Sequence, residues 1–170
     1  AHRYFAVFGK LLSTDMGFTL RTKRPPLDPV NAALSFVYTL YTNEFAAALE
    51  TVGLDSCIGF YHTLRSGRCS LACDLMEETR CIAERFVLTL FNLKTLTGDD
   101  FSLQPGGAVW LNDEGRKKLL TKWQERKRTE MLHPILNQKI EAGLLPYVQS
   151  NLLAKYIRGD IPEYPSYLQK

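Results

Sequence analysis

Three side chains in one short stretch have the types and spacing for shared chemistry. His62 lies in a segment that reads as a loop, Asp74 follows twelve residues later, and Glu77 three after that. Ser70 reads as an N-cap, followed by apolar residues at helical spacing. A helix starting there makes Asp74 and Glu77 i, i+3 neighbours on one face. Leu71, Leu75, Ile82 and Phe86 fall on a different side, at the spacing of a core stripe. The carboxylates are therefore expected off that stripe and open to a ligand, and a turn at Gly67 lets His62 fold back toward them. An imidazole with two carboxylates is a mixed nitrogen and oxygen donor set, suited to Mn²⁺ or Mg²⁺. A plainer reading stands beside it: acids at this spacing also describe a solvated helix face, and a histidine next to Tyr61 and Phe60 also describes a packed ring.

The elements that must position these residues follow from punctuation and periodicity. Residues 2 to about 12 read as the tail of a helix. Phe18 to Arg24 reads as a short extended stretch with Arg21, Lys23 and Arg24 clustered. Asp28-Pro29 is a helix start, a capping carboxylate with proline at the first helical position. The helix it opens runs to about Thr51, where Gly53 stands just past the end. Its dense apolar residues, Phe36, Val37, Leu40, Tyr41, Phe45 and Leu49 among them, predict a central, largely buried element. The helix of the acidic pair is expected from about Ser70 to Asn92. Pro105-Gly106-Gly107 marks a break, and Val109-Trp110-Leu111 reads either as one short strand or as a packed segment.

Asn112 reads as the cap of a helix from Asp113 to about Met131, carrying Arg116, Lys117, Lys118, Lys122, Arg126, Lys127 and Arg128. Acids in its first turn and bases toward its end match the helix dipole, so capping accounts for part of that pattern. From Ile135 to about Ile157 the chain reads as helical, interrupted near Gly143 to Pro146. An aromatic tail with Tyr164 and Tyr167 follows. No period-2 alternation is sustained and no repeat is present, so the expected class is all-α: a single non-symmetric helical domain over residues 1–170.

Composition bounds the function classes. At 170 residues, with 45% hydrophobic and 23% charged residues, the chain can bury a core and is neither fibrous nor disordered. No apolar run reaches membrane-spanning length and no signal-peptide layout opens the chain, so a membrane role is not expected and the cytoplasm is the expected compartment. The four cysteines, Cys57, Cys69, Cys73 and Cys81, form no CxxC pair and are read as reduced thiols. A zinc site from His62, Cys69 and Cys73 is an open alternative to small, partly buried residues. Net charge is only +3, but the basic residues are clustered.

Taken together, several stretches resemble the CRISPR-associated spacer-acquisition integrase, the family called "Cas one". They are Arg24-Pro25-Pro26-Leu27-Asp28-Pro29-Val30-Asn31-Ala32, Leu34-Ser35-Phe36-Val37-Tyr38, His62, Ser70-Leu71-Ala72-Cys73-Asp74-Leu75-Met76-Glu77-Glu78, and Tyr156-Ile157-Arg158-Gly159-Asp160 with Tyr164-Pro165. The style of the first is similar to the version found with type I-C systems. The resemblance covers essentially the whole chain as the family's C-terminal helical catalytic domain, with the N-terminal β-rich domain absent.

The resemblance implies a metal-dependent DNA endonuclease and integrase of CRISPR adaptation, which joins 3′-hydroxyl ends of captured DNA to the CRISPR array in antiviral defence. It implies Mg²⁺ or Mn²⁺, with His62 and Glu77 as ligands and Asp74 as a ligand or an acidic neighbour. The family's remaining glutamate precedes a stretch similar to Ala1 to Phe5, so it is expected upstream of Ala1. Implied partners are double-stranded DNA, a second copy of the parent chain, and the "Cas two" adaptation protein. Phosphodiester chemistry with a hard cation needs positive charge alongside. Candidates for DNA contact are Arg21, Lys23, Arg24, Arg65, Arg68, Lys122, Arg126, Lys127 and Arg128. An alternative for these 170 residues alone is a catalytically incomplete helical module that binds DNA or a partner.

Overall fold

A computed structural model describes residues 2–167. Among the described residues, five α-helices carry the chain: α1 (His2–Phe8), α2 (Pro29–Thr51), α3 (Ser70–Asn92), α4 (Asp113–Lys127) and α5 (Leu145–Ile157). Two antiparallel hairpins interrupt them, β1 (Phe101–Leu103) with β2 (Val109–Leu111), and β3 (Glu130–His133) with β4 (Gln138–Glu141). The helical class is as expected. The chain divides into two compact units, Ala1–Tyr38 with Ile82–Trp123, and Thr39–Cys81 with Gln124–Lys170.

In the first unit, Asp28 caps α2 as its sequence predicts. Its carboxylate accepts the Asn31 N–H at 2.8 Å, and its carbonyl accepts that of Ala32 at 3.0 Å. Burial raises the Asp28 pKa against the pull of these donors. Asn31, wholly buried, also straps the extended segment to α2: its amide donates to the Leu20 carbonyl, and its side-chain oxygen accepts from Thr22 N and the Arg21 guanidinium. Phe8 and Phe18 close an aromatic cluster with Phe5. Deeper along the helices, the Tyr38 hydroxyl donates to Glu84 at 2.6 Å, and Phe86 meets the edge of Trp123.

The β1–β2 register pairs Phe101 with Leu111 and Ser102 with Trp110, so the Val109 to Leu111 stretch is indeed a strand. Asn112 caps α4 by accepting the Gly115 N–H at 2.8 Å. Gly115 is required there, because a Cβ would stand 2.3 Å from the Asp100 carbonyl oxygen. Asp100 itself is buried and receives Lys118 at 2.6 Å. Burial works to raise its pKa, but Lys118 and the Thr97 donors outweigh burial and hold it below the ordinary value.

The second unit holds Tyr41, Phe45, Leu49, Leu71, Leu75, Leu145 and Leu153 in its core. Here two expectations are corrected. Helix α4 ends at Lys127, short of Met131, and residues 130–141, read as partly helical, form the β3–β4 hairpin. The reason is local. Asn137 adopts φ +50°, a left-handed conformation that asparagine tolerates and that closes the four-residue turn after His133. Strands of four residues are too short to show alternation against the neighbouring helical pattern.

Candidate active site

Helix α3 spans the predicted residues, but its entry differs from the expectation. Ser70 is the first helical residue and is not the cap: the Cys69 carbonyl accepts the Cys73 N–H, and the Ser70 hydroxyl donates to the Thr63 carbonyl at 3.2 Å. The Ser56 carbonyl takes the otherwise unpaired N–H of Leu71 at 2.9 Å. The 56–69 loop is thus laced to the start of α3 at its beginning and its middle.

Asp74 organises the loop between them. Its Oδ2 accepts the N–H groups of Phe60 at 2.9 Å and Tyr61 at 3.0 Å, and its Oδ1 accepts the N–H of His62 at 3.0 Å. The same Oδ1 meets His62 Nδ1 at 2.5 Å. Asp74 is therefore not open to a ligand as expected; its side chain is 1% exposed and both oxygens are engaged. The helical wheel placed it correctly off the core stripe, but the loop backbone covers that face.

Gly59 makes this closure possible. A Cβ at that position would stand 2.7 Å from Asp74 Oδ2 and 2.9 Å from the His62 carbonyl oxygen, so any other residue would lift the loop.

The contact fixes the imidazole. A carboxylate offers only acceptor sites, so in the neutral ring Nδ1 carries the proton. Nε2 is then left with its lone pair, and it has no hydrogen-bond partner among the described residues. A carboxylate behind a histidine is the arrangement that orients imidazole ligands toward a cation.

Glu77, one turn further along α3, is exposed and chelated by its i+3 neighbour Arg80, whose Nη1 lies 2.8 Å and 3.1 Å from the two carboxylate oxygens. Arg80 went unread in the sequence, although its spacing from Glu77 was visible there.

Glu78 points elsewhere. Its Oε2 accepts the Tyr164 hydroxyl at 3.0 Å, the Gln149 amide at 3.0 Å and the Tyr167 N–H at 2.9 Å. Burial first, and then the Glu78 charge, push the Tyr164 phenol well above its ordinary pKa, so it stays a donor. The aromatic tail docks inside this unit by that route.

Among the described residues, no group of three or more His, Cys, Asp or Glu side chains is placed to hold a metal ion. Neither the His62, Cys69 and Cys73 set nor the His62, Asp74 and Glu77 set is assembled as a three-ligand metal centre.

The basic candidates divide. Arg21 is turned inward, donating to Asn31 and Ser35 and to the Thr22 carbonyl, with its guanidinium over the Tyr38 ring. Lys127 is tied to Glu44 at 2.8 Å, and Arg126 donates to the Thr129 hydroxyl. Lys23, Arg24, Arg65 and Arg128 are exposed, Arg68 is half-buried, and none of these five has an ion-pair partner among the described residues. Lys122 is exposed on α4.

The site thus sets an oriented histidine in the loop before α3 and an exposed carboxylate on α3. Comparison gives the family. The pattern of the CRISPR associated protein Cas1 family matches residues 1–125, and the chain belongs to that family. It is 49% identical over 174 residues to the CRISPR-associated endonuclease Cas1 2 of Rhodospirillum rubrum, covering 100% of this chain and 51% of the relative. The chain spans about half the length of the curated relatives it first matches.

Among solved structures, a casposase bound to integration product superposes with a TM-score of 0.89 at 22% identity, covering 99% of this chain and 49% of that one, which speaks to the fold. A partial Cas6-RT-Cas1–Cas2 complex superposes with a TM-score of 0.82 at 25% identity, over 98% of this chain and 50% of that one.

Proposed function

We propose that this chain is the catalytic part of a metal-dependent DNA endonuclease and integrase of CRISPR adaptation, joining 3′-hydroxyl ends of captured DNA to the CRISPR array. One observation carries the reading: His62 is clamped by Asp74 through its ring and its own backbone N–H, leaving Nε2 as an oriented open donor. Family membership supports it, and the named endonuclease relatives support the reaction class. The Cas1–Cas2 likeness supports a Cas2-type protein as a partner; double-stranded DNA and a second copy of the parent chain are proposed beside it. The proposed reaction takes place on DNA in the cytoplasm; no helix of the described residues is long and apolar enough to cross a membrane.

The donors present fit a hard divalent cation, Mg²⁺ or Mn²⁺. His62 Nε2 and the Glu77 carboxylate would hold it, with Asp74 behind the imidazole, and a further carboxylate from elsewhere in the parent protein would complete the set. Such a cation would polarise the phosphodiester and stabilise charge on the attacking and leaving oxygens. Asp74 keeps the imidazole in one tautomer and one orientation. Glu77 would give up its Arg80 contact to serve as a ligand. Exposed Lys23, Arg24, Arg65 and Arg128 would contact backbone phosphates and position the duplex without reading its sequence.

The test is strand joining of a labelled 3′-hydroxyl duplex with Mn²⁺ in the full-length protein. Glu77→Ala and His62→Ala should each abolish joining while the circular dichroism spectrum stays unchanged. Retained joining would refute the assignment.

A second reading is favoured by the absence of a three-ligand group among the described residues. By it, these 170 residues alone bind DNA without joining it. Robust joining by this chain in isolation would contradict that reading.

A further inference from the structure

Two cysteines, Cys57 and Cys69, stand at the two ends of the loop that carries His62. The fold brings those ends together. The Ser56 carbonyl accepts the N–H of Leu71 at 2.9 Å and that of Ala72 at 3.3 Å, so the chain lies across the first turn of α3 as Cys57 begins. At Gly59 it is still there, since a Cβ on that residue would stand 2.8 Å from the Ser70 Cβ. Between these anchors the Cys57 N–H donates to Asp55 Oδ1 at 2.8 Å. Cys69 immediately precedes the helix, and its carbonyl accepts the Cys73 N–H at 3.0 Å. The Cys57 and Cys69 side chains meet in a hydrogen bond, and both are free thiols.

Cys57 is exposed and Cys69 half-buried, so neither is a core-packing residue. A solvent-facing thiol beside a second thiol that can resolve it has the layout of a reversible disulfide. In a reducing compartment such a bond forms only when an oxidant appears. Desolvation first, and then the nearby Cys69, raise the pKa of the Cys57 thiol against a lowering contact from Ser56. At neutral pH Cys57 therefore reacts slowly, and the pair needs a small, strong oxidant of the peroxide class.

We propose that Cys57 and Cys69 are a modification site, joined by peroxide in an intramolecular disulfide that clasps the His62 loop onto the start of α3. The Cys57 sulfur attacks the peroxide O–O bond, giving a sulfenic acid, and the released hydroxide leaves as water with the thiol proton. The Cys69 sulfur then attacks the sulfenic sulfur, a second water leaves with the Cys69 proton, and the S–S bond forms. Peroxide gains the electron pair that the two thiols lose. The bond closes a covalent ring around the residues whose N–H groups Asp74 already holds.

The experiment treats the full-length protein with hydrogen peroxide, blocks the remaining thiols by alkylation, and reads a tryptic digest by mass spectrometry. Arg65 and Arg68 lie between the two cysteines, so the bond links two tryptic peptides that separate on reduction. The linked pair should form in the unaltered protein and in Cys73→Ser. It should be absent from Cys57→Ser, which changes an exposed side chain, and from Cys69→Ser. Amide hydrogen exchange is then compared before and after oxidation. The N–H groups of Phe60, Tyr61 and His62 should exchange about tenfold or more slowly in the disulfide form, because the opened loop has less entropy to gain. Reduction should reverse the change, and peroxide should leave these amides unaltered in Cys57→Ser.

A linked pair that persists in Cys69→Ser, a bond only between two copies of the chain, or no linked pair at all would overturn the proposal. So would unchanged or faster exchange at those three amides. Strand joining is not read in this experiment, so the functional reading above stands or falls separately.

Discussion

Two histidines of the same compact unit are built into polar networks that reach helix α3, and they end differently. The fully buried His133 has both ring nitrogens engaged: Nδ1 accepts the Leu136 N–H at 3.2 Å, and Nε2 meets Gln149 at 3.1 Å, which continues to Glu78. His62 has one engaged nitrogen. Nδ1 faces Asp74, and Nε2 has no hydrogen-bond partner among the described residues, with the side chain 21% exposed. A closed network locks structure, because every donor meets an acceptor and a buried gap is costly. A network left open at one oriented atom offers that atom to a ligand. The neighbouring acids repeat the contrast: Glu78 is closed against the tail, while exposed Glu77 meets Arg80 and no other partner among the described residues.

The contrast can be broken by removing each end in turn. The largest expected effect is on joining by the full-length protein: His62→Ala should lower it by about a thousandfold or more, in the range expected for loss of an essential catalytic group, with a smaller stability cost of about 1 kcal/mol because buried Asp74 loses the ring but keeps its three backbone donors. His133→Ala should do the reverse. It should cost about 2–4 kcal/mol in urea unfolding, since Gln149 and the Leu136 N–H lose buried partners, and leave joining per folded molecule unchanged.

Asp74→Asn tests the hinge between the two cases, because Asp74 both closes the loop and orients the open ring. An amide cannot accept all of the loop N–H groups, since its NH₂ would face one or two of them. The expected result is a loss of about 1–3 kcal/mol in stability together with a roughly 10–100-fold drop in joining. A change in only one of the two would separate functions that this account joins.

The smallest expected effect applies the same distinction to cations. Arg128→Ala should lower the slope of log affinity against log salt by about 0.9 if Arg128 contacts a phosphate. Lys127→Ala should leave that slope nearly unchanged, because Lys127 is engaged with Glu44. A larger slope change from Lys127 would reverse the assignment.

Much of this was readable in the residues, and the exceptions have physical causes. The span of α3 and the Asp28 cap were legible because punctuation and periodicity are local. Placing His62 with Asp74 was legible because a glycine-containing loop leads back to a helix start. That Asp74 would be covered was not, since a helical wheel assigns faces and cannot show a loop backbone lying across one. Glu78 was indistinguishable from Glu77 in sequence; its partners Tyr164 and Tyr167 lie 86 and 89 residues away. The β3–β4 hairpin was obscured because its four-residue strands are too short to alternate visibly beside the neighbouring helical pattern.

The central claim is that His62 is the open histidine and His133 the closed one. Paramagnetic broadening of the histidine ring resonances during a Mn²⁺ titration reads this atom by atom. The account predicts that the His62 ring signals broaden at substoichiometric Mn²⁺ while those of His133 stay sharp, and that Glu77→Ala weakens the effect. Broadening of His133, or of neither ring, would contradict it.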